Sequence, residues 1–112
     1  MDIDFLDKKL GKQCNEQALL VRKQGAHRAK LLRRRLDEFA ALDTLEEIRL
    51  LPQARCHELV KNRAGQLSVD LDHPYRLIFE PAHDPIPRNV DGGLDWKQVT
   101  AILIIGIEDT HE

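Results

Sequence analysis

The sequence contains few cysteines, few aromatic residues and no long hydrophobic run. Its two cysteines, Cys14 and Cys56, form no CxxC pair, which argues against a redox motif and a cysteine-rich zinc site, so we expect reduced thiols. No apolar segment reaches the roughly 18 to 20 residues of a membrane span, and the N-terminal residues are acidic where a signal peptide would be basic. We therefore expect a cytoplasmic protein without a membrane partner, folded as a single domain over residues 1–112.

Histidine and cysteine also show no pattern typical of a metal site. His27, His73 and His83 have no recognisable ligand spacing with either cysteine. We expect neither a metal ion nor another cofactor.

Acidic residues are missing from residues 17–36, although this segment holds seven arginines and lysines. Residues 1–63 carry a charge of +4 and residues 64–112 a charge of −6, so the two halves differ in sign. A basic run favours a polyanionic partner, and Arg33, Arg34 and Arg35 are its candidate RNA-binding residues. The alternative is a solvated helix face whose cations offset acids elsewhere.

Helical patterns dominate the chain before Pro52, after a short strand-like stretch at residues 2–6. Asn15 can cap a helix that ends at Gly25. Apolar residues then recur at spacings of three and four over residues 29–40, which predicts a longer helix. Thr44 and Glu47 match the capping box of a third, short helix.

Beyond Pro52 the apolar residues alternate with a period of two, which indicates strands. Residues 67–72 and 75–80 predict an antiparallel hairpin, and residues 56–61 predict a strand before it. The apolar run at residues 99–107 predicts a central strand covered on both faces. Between them, residues 81–97 predict an ordered loop anchored by Trp96. Helices followed by such strands define an α+β domain, with helices on one face of a largely antiparallel sheet.

Four stretches of the sequence resemble the HigB-like branch of the RelE/ParE toxins of bacterial toxin-antitoxin systems. They read "KKLGKQC", "AKLLRRRLDEFAALDTLEEI", "LPQARCHELVKNRAGQLSVDLDHPYRLIFEP" and "GGLDWKQVTAILIIGIEDTHE". The resemblance covers nearly the whole chain and implies a RelE-like fold, in which N-terminal helices pack on one face of a small twisted sheet. It also implies a ribosome-dependent endoribonuclease that cuts mRNA, inhibits translation and is held inactive by a helix-turn-helix, HigA-like antitoxin.

The resemblance further implies a catalytic set and a basic pair that contacts RNA. Threonine stands where the family has the tyrosine of its C-terminal Asp-Tyr-His signature. The catalytic set comprises His57, Arg76, Asp109, Thr110 and His111, and the basic pair comprises Lys61 and Arg63.

These residue types suit cleavage of RNA without a metal ion. The reaction needs a base for the 2′-hydroxyl, an acid for the leaving 5′-oxygen and a cation for the phosphate. Histidine serves as acid or base because its ordinary pKa of about 6.5 lies near working pH. Accordingly His57 and His111 are the candidate base and acid, and Arg76 is the candidate phosphate ligand.

Other interpretations of the same residues remain open. His57 can be a packing residue, and Arg76 can pair with Asp70 or Asp72 across the hairpin. At the level of function, the alternatives are a ParE-like gyrase inhibitor and a catalytically weak relative that binds its antitoxin and acts as an autoregulator.

Overall fold

The computed structural model describes residues 1–109 of the chain. In chain order, a short strand precedes three α-helices, and four further strands alternate with 3₁₀ turns. The strands are β1 (Asp2–Phe5), β2 (His57–Glu58), β3 (Leu67–Asp70), β4 (Tyr75–Pro81) and β5 (Ala101–Asp109); the helices are α1 (Lys8–Asn15), α2 (Gln17–Gln24) and α3 (Ala26–Ala41); the 3₁₀ turns are Leu45–Leu50, Pro52–Ala54, Lys61–Arg63 and Trp96–Gln98.

The five strands form one sheet in the order β1-β5-β4-β3-β2. The β1 strand runs parallel to β5, and all other neighbours are antiparallel. The predicted α+β class, with a mostly antiparallel sheet, is confirmed. No helix within residues 1–109 has the length and apolar character needed to cross a membrane.

The N-terminal helices begin at different residues from those predicted. Asp7 caps α1, because its carboxylate accepts hydrogen bonds from the backbone N–H groups of Lys9 and Leu10. The sequence analysis missed this helix and placed a cap at Asn15, which is in fact the last residue of α1. Extended backbone at Glu16 separates α1 from α2, and Gly25 in the left-handed region, with φ of 82°, separates α2 from α3.

Helix α3 and the short turn after it follow the predicted pattern. The apolar stripe of α3 buries Leu32, Leu36 and Phe39 in the core. Phe39 meets Phe79 of β4 edge-on, with ring centroids 4.9 Å apart, which fixes the helix against the sheet. The predicted capping box is present, since the Glu47 carboxylate accepts the backbone N–H of Thr44 at 3.0 Å, and the following turn is 3₁₀.

Only one face of the sheet is covered by the helices and the core. On β5, Ile102 and Ile104 are buried, whereas Leu103 between them and Ile105 after them are half-buried. The prediction that β5 is covered on both faces is therefore wrong, although the strand does lie inside the sheet, between β1 and β4. We call the side that the helices do not cover the open face, although Ser68 and Ile78 on that side are fully buried.

The strand predicted before the hairpin and the loop predicted after β4 have different outcomes. The strand predicted at residues 56–61 is reduced to β2, because Val60 leads into a turn in which Lys61 has a φ of 58°. The loop after β4 is ordered around Trp96, as predicted. Trp96 is buried, and its indole Nε1 donates to the Glu58 carboxylate at 3.0 Å.

Candidate functional site

The register of the strands places His57 and Arg76 on the same open face. His57 pairs with Ser68, which pairs with Ile78, while Arg76 pairs with Asp70. Side chains of directly paired residues point to the same side of a sheet, and successive residues alternate. The two predicted catalytic residues thus meet, with the Nη1 of Arg76 2.9 Å from the Nε2 of His57.

The contacts of His57 define its tautomer. A guanidinium can only donate, so the Nε2 of His57 accepts the hydrogen bond from Arg76. The Nδ1 lies 3.1 Å from the backbone oxygen of Arg55, which can only accept, so Nδ1 carries the proton. Both contacts are satisfied by the tautomer with the proton on Nδ1 and the lone pair on Nε2, and the side chain of His57 is exposed to solvent.

Arg55 holds this arrangement from the end of the Pro52–Ala54 turn. Its backbone is left-handed, with φ of 49° and ψ of 51°, a conformation uncommon for a residue with a side chain. This conformation places its carbonyl oxygen within reach of the His57 Nδ1. The sequence analysis missed Arg55, since no local pattern marks a left-handed arginine.

Asp70 lies between two guanidinium groups. Its carboxylate oxygens are 3.5 Å from the Nε of Arg76 and 3.5 Å from the Nε of Arg55. The alternative pairing of Arg76 with Asp70 therefore exists alongside the His57 contact. Asp72 instead binds Arg28 at 2.9 Å, and that arginine holds the pKa of the Asp72 carboxyl below its usual value.

The two residues of the predicted basic pair, Lys61 and Arg63, lie in different environments. The side chain of Lys61 is exposed and forms no hydrogen bond or ion pair within residues 1–109, whereas Arg63 makes a two-point ion pair with Glu108, 2.9 Å at each contact. The Nε of Arg63 also donates to Gln66 at 2.8 Å. Lys61 is thus available to a phosphate, while Arg63 already has a carboxylate partner.

The three adjacent arginines of α3 have three different environments. Arg34 is exposed, and Arg33 donates to the backbone oxygen of Cys14 and to Asp37. Arg35 is buried, with its donors bound to Asp70, Glu38 and Gln53. We therefore correct the assignment of Arg35 from an RNA-binding residue to a core residue that links α3 to β3. Its guanidinium has no access to a ligand.

The C-terminal part of the predicted catalytic set lies at the boundary of the structure. Asp109 is the last residue of β5, where it pairs with Tyr75 of β4 and is exposed. Thr110 and His111 lie outside the described residues.

Ser68 and Glu108 are open-face residues that the sequence analysis did not select. Ser68 is fully buried beside His57, and its Oγ has no hydrogen-bond partner among the described residues. Alternation along β3 could have marked Ser68 as sharing the face of Asp70. The contact of Glu108 with Arg63 could not be read from sequence, because the two residues are 45 positions apart.

Comparisons with known proteins give no relative. No protein-family model, no curated protein and no solved structure matches the chain. Within the part of the chain that the structure describes, no group of three or more histidine, cysteine or acidic side chains is placed to hold a metal ion.

Proposed function

We propose that the protein is the toxin of a bacterial toxin-antitoxin system, with a RelE-like fold. In this proposal it is a cytoplasmic, ribosome-dependent endoribonuclease that cuts mRNA and is inhibited by a HigA-like, helix-turn-helix antitoxin. The sequence resemblance suggests the class. The observation that carries the proposal is the 2.9 Å contact of His57 with Arg76 on the open face, because it joins a titratable base to a phosphate-binding cation.

The contact suggests how binding of RNA prepares the base. Arg76 donates to the nitrogen of His57 that would accept a proton, so the base is occupied while no phosphate is bound. A phosphate oxygen is a stronger partner for a guanidinium than a neutral imidazole is. When RNA binds, Arg76 turns to the phosphate and releases the Nε2 lone pair.

The chemical step then transfers one proton at each end. The 2′-hydroxyl gives its proton to the Nε2 of His57, and its oxygen attacks the adjacent phosphorus while Arg76 binds the phosphate oxygens. The bond from phosphorus to the 5′-oxygen breaks, and the resemblance assigns His111 to protonate that oxygen. The products are a 2′,3′-cyclic phosphate and a 5′-hydroxyl.

The carbonyl of Arg55 supports this role by fixing the tautomer. With Nδ1 bound to that oxygen, the nitrogen that faces the open side is the one able to accept a proton. In this tautomer the Nε2 of His57 can act as a general base.

A second function, binding of an antitoxin without cleavage, is favoured by the charges of the open face. Arg63 is paired with Glu108, and Asp70 lies near both Arg55 and Arg76. Asp2 and Asp4 add exposed acids along β1. A face with so many carboxylates attracts RNA weakly and suits a partner that carries cations.

Controlled expression followed by mapping of mRNA ends tests the proposal. Wild-type protein should arrest growth and produce new 5′-hydroxyl ends on translated mRNA. His57→Ala should reduce single-turnover cleavage by ~10² or more while ribosome binding is kept, as expected for loss of a proton-transfer group. His27→Ala is the matched control, because His27 is exposed on α3 and does not line the cavity beside Arg55 and Arg76. Equal rates for wild type and His57→Ala would remove the proposed mechanism, and growth arrest without new ends would support the second function.

A further inference from the structure

A cleft of about 320 Å³ lies where the Lys61–Arg63 turn meets the loop after β4. Its apolar lining residues include Leu67, Pro81, Ile86 and Leu94, and its polar lining residues include Arg63, Glu80 and Arg88. This volume falls in the range of roughly 300 to 1,000 Å³ that small-molecule sites occupy, and the combination of an apolar wall with a few polar groups is typical of them.

Glu80 has unused hydrogen-bonding capacity in this cleft. It is half-buried, and its carboxylate makes no hydrogen bond or ion pair with any residue in positions 1–109. Glu58, the other acid of the lining, differs because it accepts the indole N–H of Trp96. Carboxylate oxygens can only accept, so a ligand that supplies donors can bind to Glu80.

Arg88 adds a second polar group with spare capacity. Its Nη1 reaches the backbone oxygen of Gly92 at 3.4 Å, a long contact, and its other N–H groups have no partner within the described residues. Guanidinium planes stack on unpaired bases and donate to base oxygens and nitrogens.

The chemistry of Glu80 selects among the four RNA bases. Guanine alone offers two adjacent donors, N1–H and the 2-amino group, which match the two oxygens of one carboxylate. Adenine and cytosine place a ring-nitrogen acceptor beside their amino group, and uracil flanks its single N–H with two oxygens. A carboxylate would meet an acceptor in each of those three bases, and this would repel it.

Strand geometry connects the cleft to the open face. Alternation along β4 puts Arg76, Ile78 and Glu80 on one side of the sheet. Glu58, which also lines the cleft, follows His57 in β2 but lies on the opposite side of the sheet, so the cleft is at the edge between the two faces. Arg76 and Glu80 are four residues apart on β4, about 13 Å along the strand, so an RNA strand whose phosphate reaches Arg76 can bring a nearby base to Glu80.

We propose that this cleft binds a guanine base through Glu80 and Arg88, and so makes cleavage prefer RNA that carries guanine near the cut. The effect on cleavage rests on the proposed function. Binding of the base does not, because the same hydrogen bonds form with guanine in a free nucleotide.

Binding is measured first, without cleavage, on the full-length His57→Ala protein. GMP, IMP, AMP, CMP and UMP are titrated while Trp96 fluorescence is followed, since the indole is bonded to a cleft residue. GMP should bind at least roughly tenfold more tightly than AMP, CMP or UMP, because loss of a hydrogen bond to a charged group costs about that factor. IMP, which lacks only the 2-amino group, should lie between them.

Two variants that each remove one negative charge test the role of Glu80. Glu80→Gln in the His57→Ala background should lose the preference for GMP, because the amide presents only one acceptor. Asp4→Asn is the matched control, since Asp4 is exposed on β1 and does not line the cleft. Equal affinity for all four nucleotides, or a GMP preference that survives Glu80→Gln, would overturn the proposal.

Cleavage mapping separates this inference from the proposed function. Protein with His57 intact should cut preferentially beside guanine, Glu80→Gln should remove that preference, and Asp4→Asn should keep it. Cleavage whose base preference is unaltered by Glu80→Gln would reject the cleft but keep the nuclease. Binding of GMP through Glu80 without any RNA cleavage would reject the nuclease and leave a guanine-nucleotide site.

Discussion

Arg63 and Glu108 form a two-point ion pair across the open face, with both nitrogen–oxygen distances at 2.9 Å although the residues are 45 positions apart. The pair occupies one of the two cations that the resemblance assigns to RNA binding. Both side chains are about one-third exposed, so water and salt screen their attraction.

Removal of the Glu108 charge should strengthen binding to ribosomes or RNA. In Glu108→Gln, Arg63 is released to a phosphate, so affinity should rise and the slope of log affinity against log salt should steepen by about one. Thermal stability should change little, by about 0 to 1 kcal/mol. Filter binding over a range of salt concentrations measures both quantities.

Glu46→Gln is the matched control for that measurement. Glu46 pairs with Arg49 at 3.1 Å on a 3₁₀ turn outside the sheet, so this variant makes the same change in net charge elsewhere. If the two variants bind equally, the effect comes from net charge and Arg63 does not contact RNA.

The adjacent residues Arg34 and Arg35 of α3 should differ in their contribution to the stability of the fold. Arg35→Gln should destabilise the fold by about 3 kcal/mol, because it removes one partner of a buried pair and leaves Glu38 and two backbone oxygens without their donor. Arg34→Gln should change stability by less than about 0.5 kcal/mol, since Arg34 is exposed. Urea unfolding gives the comparison.

Ribosome binding gives the opposite ranking if the basic run of α3 contacts RNA. Arg34→Gln should weaken binding and reduce its salt slope, whereas folded Arg35→Gln should bind as the wild type does. Unchanged co-sedimentation of Arg34→Gln with ribosomes would identify the run as a solvated helix face.

Both cysteines should react slowly in the folded protein. Burial raises the pKa of the Cys14 thiol to about 11 and that of the Cys56 thiol to about 12, so almost no thiolate is present at pH 8. Alkylation by iodoacetamide at pH 8 should therefore be at least ~tenfold slower than in urea. Similar rates in the two conditions would show that the thiols are accessible and ionised.

The same pKa shifts predict a loss of stability at high pH. The unfolded thiols ionise near their ordinary pKa of about 9, while the folded thiols keep their protons, so above that pH the unfolded state binds fewer protons. The stabilisation is complete below about pH 9 and is lost as pH rises toward 11 to 12. Urea midpoints measured from pH 8 to 11 should fall, and Cys56→Ala should fall less steeply.

Replacement of Thr110 by the tyrosine of the resembling family should accelerate cleavage. A phenol ring can stack on a base and align the substrate, and poor alignment of about 1 Å can cost ~10² in rate. Thr110→Tyr should raise single-turnover cleavage roughly tenfold at nearly constant ribosome affinity. The double variant with His57→Ala should show no gain, and an unchanged rate for Thr110→Tyr alone would indicate that position 110 does not align RNA.

The periodicity of the sequence predicted most of the architecture. The period of three to four residues in α3 and the period of two in β3 and β4 each place apolar side chains on one face, and burial of that face is what fixes such elements. The boundaries at Asn15 and Lys61 were wrong, because a cap and a left-handed turn depend on the backbone conformation of one residue. The missing cover over one side of β5 was not predictable from its apolar composition.

The sequence by itself therefore determined the α+β class and put His57 and Arg76 on strands. Only the tertiary structure decided that these two side chains meet, that Arg35 is buried, and that Glu108 occupies Arg63. The physical reason is the separation in sequence of the residues that make each contact. Local periodicity sets the side of an element on which a residue lies, whereas ion pairs between residues 44 or 45 positions apart, such as Arg28 with Asp72 and Arg63 with Glu108, depend on which strands and helices pack together.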